Sequence, residues 1–278
     1  MPSSDSFAVG EGVPAAAVSA FERDGVVCLR GVLNTAQIER MSNAADESAR
    51  SPGPLGYKIG EPGQPGFFYY DFQMHERISD FRWFVFESAV KDYAATLMQS
   101  QSVTLYYSNM FIKDSGCKAP TPWHEDATYS RMHGVTNVIN FWVALDAIPA
   151  ATALLFMQGS HRRKQPIFKA YHFEEGKQYD LPRIEADREP ITDFASLGSL
   201  YPTVWWELEP GDALVFTQRT LHAAPGNLLP SRRRTANMLL LGDDAGYNTA
   251  EGDADPPFRD DTLQEGEHPA GEVFLRLR

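Results

Sequence analysis

Three short stretches of the chain carry residue types that could do chemistry together. One is Trp123-His124-Glu125-Asp126, the second Leu221-His222-Ala223-Ala224-Pro225, the third the run Arg232-Arg233-Arg234. Two imidazoles and one carboxylate are the ligand set of a non-haem Fe(II) site that leaves positions open for dioxygen and a cosubstrate. In a strand, residues i and i+2 share a face, so His124 and Asp126 would project together with Glu125 turned away. A 2-oxo acid could chelate two of the open positions. An arginine shortly after the second histidine is where such a site would hold an acidic cosubstrate, because a guanidinium fork matches a carboxylate bidentately.

The pair His-x-Asp is by itself a weak signal in a chain with seven histidines. His75, His133, His161, His172 and His268 have no aspartate two residues on. They are assigned surface or hydrogen-bonding duties, His133 being the main decoy. His222 gains weight from its surroundings. Glu209-Pro210-Gly211-Asp212 reads as a turn and Ala213 to Phe216 as a strand. His222 follows at an element end, where a rigid scaffold can present a ligand. The arginine run opens the apolar stretch Met238 to Leu241, so at least one of its members is expected to point inward.

The elements that must position these residues fall into two textures. Residues 14 to 23 read as a short helix with Pro14 near its start, stopped at Asp24-Gly25. Val26 to Leu29 reads as a buried strand. Asn34 or Thr35 can cap a second helix over 36 to 49, and Phe81 to Met98 reads as another. Phe67 to Phe72 is an aromatic strand, packed on both faces or lining a pocket. From Val103 onward short β-rich runs dominate: 105 to 113, 135 to 145, 154 to 157, 204 to 208, 213 to 216 and 235 to 241. Many short strands after a helical beginning predict a β-sandwich or double-sheet barrel with helices outside. The expected organisation is one domain over 1–278. It has a helical part over 1–100, a core over 101–242 with a lid-like polar insert at 162–203, and an irregular acidic tail over 243–278 that docks at its end.

Composition narrows the class. The chain has 278 residues, 43% of them hydrophobic, and a formal net charge of −12. That supports a sizeable core and argues against nucleic acid or an anionic membrane as partner. The local basic runs at 162–164 and 232–234 are the exceptions to examine. Cys28 and Cys117, distant and without CxxC spacing, argue against a disulfide framework or structural zinc. No apolar run has spanning length and the N-terminus lacks a signal pattern. A cytoplasmic protein, monomer or homodimer, acting on a small molecule is the expectation.

As an ordered set, these motifs resemble the phytanoyl-CoA dioxygenase family of Fe(II)/2-oxoglutarate oxygenases. The resemblance begins at Phe21-Glu22-Arg23-Asp24-Gly25-Val26-Val27 and runs through Trp123 to Tyr129. It continues in Trp142-Val143-Ala144-Leu145-Asp146, Gly159-Ser160-His161, Glu209 to Phe216, Leu221-His222 and Pro225-Gly226-Asn227. It implies a double-stranded β-helix, the cupin-like jelly roll. It implies His124, Asp126 and His222 as iron ligands and Arg233 as anchor of the 2-oxoglutarate, with Arg234 as the alternative. Strand alternation lets only one parity of the arginine run face the site. Trp142 matches a position lining the cosubstrate pocket. Lys113, Tyr106 and Asn109, on the strand before the His-x-Asp pair, are further candidates for it.

The departures are Ala151-Thr152-Ala153 where the family often has Glu-Asn-Gly, Gln158 for a proline, and Ala224 for a serine that meets the cosubstrate. The intact Asp126 speaks for hydroxylation or another oxidation over halogenation. The implied reaction couples O2 and 2-oxoglutarate to oxidation of an unactivated C–H bond, with release of succinate and CO2. The acidic balance favours a small metabolite or natural-product intermediate over a coenzyme A ester. Two rival readings stand: a cupin-like metal oxygenase that does not use 2-oxoglutarate, and a non-catalytic jelly-roll binding protein.

Overall fold

A computed structural model describes residues 5–164 and 194–278. Most of the insert expected at 162–203 lies outside the described residues. What is described of it ends in a short helix, Phe194–Leu200, and a two-residue strand.

The strands form two sheets facing one another. In chain order they are β1 (Phe7–Ala8), β2 (Val26–Arg30), β3 (Tyr57–Ile59), β4 (Phe68–Phe72), β5 (Thr104–Lys113), β6 (Thr121–His124), β7 (Met132–His133), β8 (Val138–Ala144), β9 (Leu155–Met157), β10 (Thr203–Val204), β11 (Ala213–Thr217), β12 (His222–Ala224), β13 (Arg233–Leu241), β14 (Gly246–Tyr247) and β15 (Leu275–Arg276). The large sheet runs β1-β2-β11-β8-β13-β5-β4-β3, with β15 also on β5, and the small sheet runs β10-β9-β12-β6. β7 and β14 pair separately. Apart from the parallel β1–β2 contact, the named pairings are antiparallel. This is the jelly-roll architecture with flanking helices that the motif order implies.

Strand alternation divides the large sheet cleanly. Ile139, Phe141 and Val143 of β8 and Ala236, Met238 and Leu240 of β13 face the helices. They pack there with Phe21 of α1 (Ala15–Asp24), Met41 of α2 (Thr35–Arg50), Phe81 and Phe84 of α3 (Ser79–Phe86) and Ala94 of α4 (Val90–Met98). The other face turns Trp142, Ala144, Leu214 and Phe216 toward Phe156 and Trp206. Each large apolar side chain so buried is worth about 1.5–3 kcal/mol.

Local chemistry explains the element ends. Asn34 and Gln37 form a reciprocal capping box at the start of α2, which satisfies two otherwise orphaned N–H groups. Gly25 closes α1 at φ 74°. A Cβ there would collide with the His161 ring and the Thr220 hydroxyl, so only glycine fits. The helix expected over Phe81 to Met98 is in fact α3 and α4. The Ser88 hydroxyl takes the Phe84 carbonyl and its N–H bonds Trp83, turning the chain between them.

Two expectations are corrected. The first hundred residues are not a helical part set against a later sheet: they supply β1 to β4 to the large sheet. The strand expected over 204 to 208 shortens to β10, because Leu208 instead bridges Ile148. The tail is irregular over much of its length yet returns at Phe274, fully buried against Tyr106, and at β15. Among the described residues, no helix is long and apolar enough to cross a membrane.

Candidate metal centre

β6 and β12 are neighbours in the small sheet, and their register sets His222 directly opposite His124. The two rings lie 4.1 Å apart between centroids. Asp126 follows β6 at the start of a 3-10 turn, Asp126–Thr128. Its Oδ1 lies 3.4 Å from Nε2 of His124 and 3.7 Å from Nε2 of His222. One ligand atom from each residue falls within a common span of 4.8 Å. The His-x-Asp pair is therefore not carried on one continuous strand, as expected. The strand ends at His124, but Glu125 is still extended at φ −129°, ψ 141°, so the alternation that brings 124 and 126 together survives the turn.

Both imidazoles are held in the tautomer that a metal requires. Nδ1 of His124 donates to the Pro122 carbonyl at 2.8 Å, and Nδ1 of His222 to the Thr220 carbonyl at 2.9 Å. Each Nε2 is then left with a lone pair facing the cluster. Burial, together with the nearby His124, holds His222 down to about 4, so it is neutral at ordinary pH. Burial alone would raise the Asp126 carboxyl. His222, His124 and a hydrogen bond from Asn140 outweigh it and keep the group below the usual carboxylate range. The Asn140 amide donates to Oδ2, leaving Oδ1 for the side where the imidazoles point.

Next to this cluster a cavity of about 660 Å³, partly open to solvent, is lined by Arg233, Lys113, Asn109, Trp142, Thr121 and Asn237 among others. Arg233 is 5% exposed. Its guanidinium donates to the Thr152 carbonyl, and no carboxylate pairs with it among the described residues. Its neighbours in the run face the other way. Arg234 grips Asp146 with two hydrogen bonds and Arg232 reaches Asp46 and Asp114. Burial lowers Arg233 to about 10, and burial followed by Arg233 lowers Lys113 to about 7. Lys113 donates to the Ala119 carbonyl at 2.8 Å and the Thr121 hydroxyl at 3.3 Å. Two buried cations with only neutral partners form a receptor for an anion.

Ala224 brings no hydroxyl to this cavity, but its cross-strand partner is Thr121, which does.

Tyr106 does not reach the cavity. A β-bulge between Leu239 and Leu240 makes it the extra residue on β5. Its ring stacks on Phe274 and its hydroxyl accepts from the Arg131 N–H. Tyr107 lines the cavity instead. The aromatic strand divides by parity. Phe67 and Tyr69 face the core, while Phe68, Tyr70 and Phe72 lie opposite Lys113, Phe111 and Asn109 on the cavity side.

The remaining histidines sit apart from the centre. His133 is exposed and pairs with Glu265. His75 bonds Ser108, His161 meets the Glu22 carbonyl and His268 the Ala245 carbonyl. His172 lies outside the described residues. Among the described residues, Arg163 is buried against Glu125, and Arg232 and Arg234 are ion-paired, so neither run is a continuous exposed stretch of free arginines. Asn140, Tyr107 and Thr121 escape the motif reading. Parity alone could have pointed to Asn140, two residues before Trp142, and to Thr235 and Asn237, in phase with Arg233.

The family model for phytanoyl-CoA dioxygenase (PhyH) matches residues 21–235. No curated protein matches the chain in sequence. Among solved structures, the non-haem alpha-ketoglutarate dependent carbocyclase SnoK from nogalamycin biosynthesis aligns at TM-score 0.74 and 20% identity, over 100% of both chains. The epimerase SnoN, in complex with Fe3+, alpha-ketoglutarate and nogalamycin RO, aligns at 0.70 and 21%, covering 95% of this chain and 98% of that one. EctD from S. alaskensis with 2-oxoglutarate and 5-hydroxyectoine aligns at 0.70 and 19%, covering 93% and 86%. At these identities the likeness is one of fold.

Proposed function

Because the chain belongs to the phytanoyl-CoA dioxygenase family of non-haem Fe(II)/2-oxoglutarate-dependent oxygenases, we propose that His124, Asp126 and His222 hold its iron and that Arg233 holds its cosubstrate. The protein is an enzyme of that class, using Fe(II), 2-oxoglutarate and O2. When bound, iron supplies oxygen activation coupled to decarboxylation of 2-oxoglutarate to succinate and CO2.

The observation that carries the assignment is the juxtaposition of two cavity features. Two Nε2 lone pairs and one carboxylate converge, and a buried guanidinium without a carboxylate lies in the same cavity. The donor set suits Fe(II) and leaves one face open. Arg233 takes the far carboxylate of 2-oxoglutarate bidentately, Lys113 adds a second charge, and Thr121 offers the hydroxyl that position 224 lacks. Trp142 and Asn109 shape the walls. Asn140 orients Asp126. The apolar surround, Phe216 and Leu154 among it, excludes water from the reacting centre.

The substrate is a small metabolite or natural-product intermediate, and the outcome is hydroxylation or another oxidation of an unactivated C–H bond. Cys28 and Cys117 are both buried free thiols, which suits a reducing compartment such as the cytoplasm.

The test is anaerobic. Fe(II) is added, then 2-oxoglutarate, and the weak visible charge-transfer band of the chelate is sought. Its appearance, and its loss in Asp126→Ala, is the expected result. Iron binding without a band would favour a cupin-like oxygenase that does not use 2-oxoglutarate. No iron binding would favour a non-catalytic jelly-roll binder.

A further inference from the structure

Three polar side chains on the floor of the cavity that holds Arg233 are set apart by what they do not bond. Asn109, Thr235 and Asn237 all line it. Thr235 and Asn237 are 1% exposed and Asn109 4%. Among the described residues, Nδ2 and Oδ1 of Asn237, Oδ1 of Asn109 and the Thr235 hydroxyl have no hydrogen-bond partner. Other polar groups of the same cavity are paired: Arg233 with the Thr152 carbonyl, Lys113 with the Ala119 carbonyl and Asn140 with Asp126. A buried amide left unpaired costs stability, and native proteins tolerate few such groups. On a cavity wall, that cost points to a ligand that supplies the missing partner.

Sheet register places the three. Arg233, Thr235 and Asn237 share one face of β13. Arg233 lies opposite Lys113 of β5, so the two cations stand together at one end of the floor. Asn237 lies opposite Asn109 of β5 on one side and Trp142 of β8 on the other. Two residues further on, Leu239 lies opposite Asn140, whose amide holds Asp126. At about 3.4 Å per residue, Asn237 stands roughly 13 Å along β13 from Arg233 and roughly 7 Å from Leu239. The floor is thus polarised, with two cations at the anchor end and neutral amides toward the metal ligands.

From this arrangement we propose that Asn237, with Asn109 beside it, binds the 2-oxo acid end of the cosubstrate. The proposal rests on the oxygenase reading above and adds a recognition element that lies outside the motifs of the chain. A 2-oxo acid that chelates iron through its 2-oxo oxygen and one carboxylate oxygen leaves its second carboxylate oxygen as a buried acceptor. The Asn237 amide is a buried donor with nothing to donate to. Pairing the two relieves both desolvation costs. Neutral amides suit this end, because the metal already offsets the charge of that carboxylate. The far carboxylate lies beyond the metal's reach and needs Lys113 and Arg233. The same polarity fixes the direction in which a ligand with a carboxylate at each end enters.

The experiment uses the full chain loaded anaerobically with Fe(II), and two ligands. One is 2-oxoglutarate; the other is 2-oxopentanoate, which keeps the 2-oxo acid end and lacks the far carboxylate. Affinities are read from the charge-transfer band and by calorimetry. The wild type with 2-oxoglutarate is measured first, so a failure of the iron and cosubstrate assignment shows before any variant is made. Asn237→Ala should weaken both ligands by a similar factor, about tenfold, and displace the band maximum. Arg233→Ala should weaken 2-oxoglutarate alone. The isosteric Asn237→Asp should weaken both ligands more than alanine does, since it sets one carboxylate against another. Because the amide is unpaired in the ligand-free protein, Asn237→Ala should melt no lower than the wild type. A lowered Tm with both affinities unchanged would mark a purely structural amide and overturn the proposal. A loss confined to 2-oxoglutarate overturns it too, since Asn237 would then act at the far carboxylate.

Discussion

His124 and His222, far apart in the chain, are direct cross-strand partners in the small sheet. Their coordinating nitrogens meet because β6 and β12 pair in that register, and a slip of one residue would turn one ring to the opposite face. The metal site is thus a property of sheet registration as much as of the residues themselves.

Metal binding to such a site is folding free energy. Saturation at about 100 times Kd adds about 2.7 kcal/mol, which for a chain of this size raises Tm by roughly 5–10 °C. An anaerobic melt with and without Fe(II) reads the shift, a chelator should reverse it, and Asp126→Ala should show none.

Arg233→Ala removes a bidentate, charge-assisted contact from a buried site. The KM for 2-oxoglutarate should rise by roughly 10- to 100-fold, with the metal-induced Tm shift retained. Arg233→Lys should recover only part of the loss, since an ammonium lacks the planar fork. Succinate release against 2-oxoglutarate concentration measures it; an unchanged KM would sink the anchor assignment.

Lys113 gives the cosubstrate affinity a pH dependence. Burial, then Arg233, holds its ammonium at about 7, against ~10.4 in an unfolded chain. Between these values the folded protein carries fewer protons than the unfolded one, so the stability of the ligand-free protein rises with pH across that window. An anionic cosubstrate favours the ammonium. Binding above pH 7 should therefore take up a proton, and affinity should fall as pH rises. Calorimetry in two buffers of different ionisation enthalpy detects the uptake, and Lys113→Met should abolish it.

Asn140→Ala leaves the metal ligands in place but releases Oδ2 of Asp126. Outer partners of this kind are worth about 10- to 100-fold in metal affinity. Competition with a chelator of known affinity measures the change. Wild-type affinity in the variant would refute a positioning role.

Glu125, between two metal ligands, is fully buried against Arg163. Breaking a buried pair from one side costs about 3–5 kcal/mol, whereas replacing both partners costs far less. Arg163→Met should be strongly destabilised in urea, and Glu125→Gln with Arg163→Met should recover most of the loss.

Much of this was legible in the chain. Pro14 and Asp24-Gly25 bounded α1, a cap and helical spacing marked α2, and runs of β-branched and aromatic residues marked β2, β5, β8, β11 and β13, because local patterning follows the face that is buried. The ordered motifs pointed to the jelly roll and the family. The illegible parts depend on contacts between distant segments. Tyr106 misses the cavity because of a bulge against β13, which no local pattern announces. That β2 pairs with β11, from far along the chain, is likewise not announced by any local pattern.

By itself the sequence determined the donor types, the spacing of His124 and Asp126, and the alternation that admits only one parity of the arginine run. Tertiary structure decided the rest. Sheet register set His222 opposite His124. Ion pairs with Asp146 and Asp46 turned Arg234 outward and left Arg233 to the cavity. Hydrogen bonds from Arg131 drew an acidic tail over the centre. Residue types carry chemistry locally, but facing partners, buried charges and tied-down loops exist only once strands from distant parts of the chain have paired.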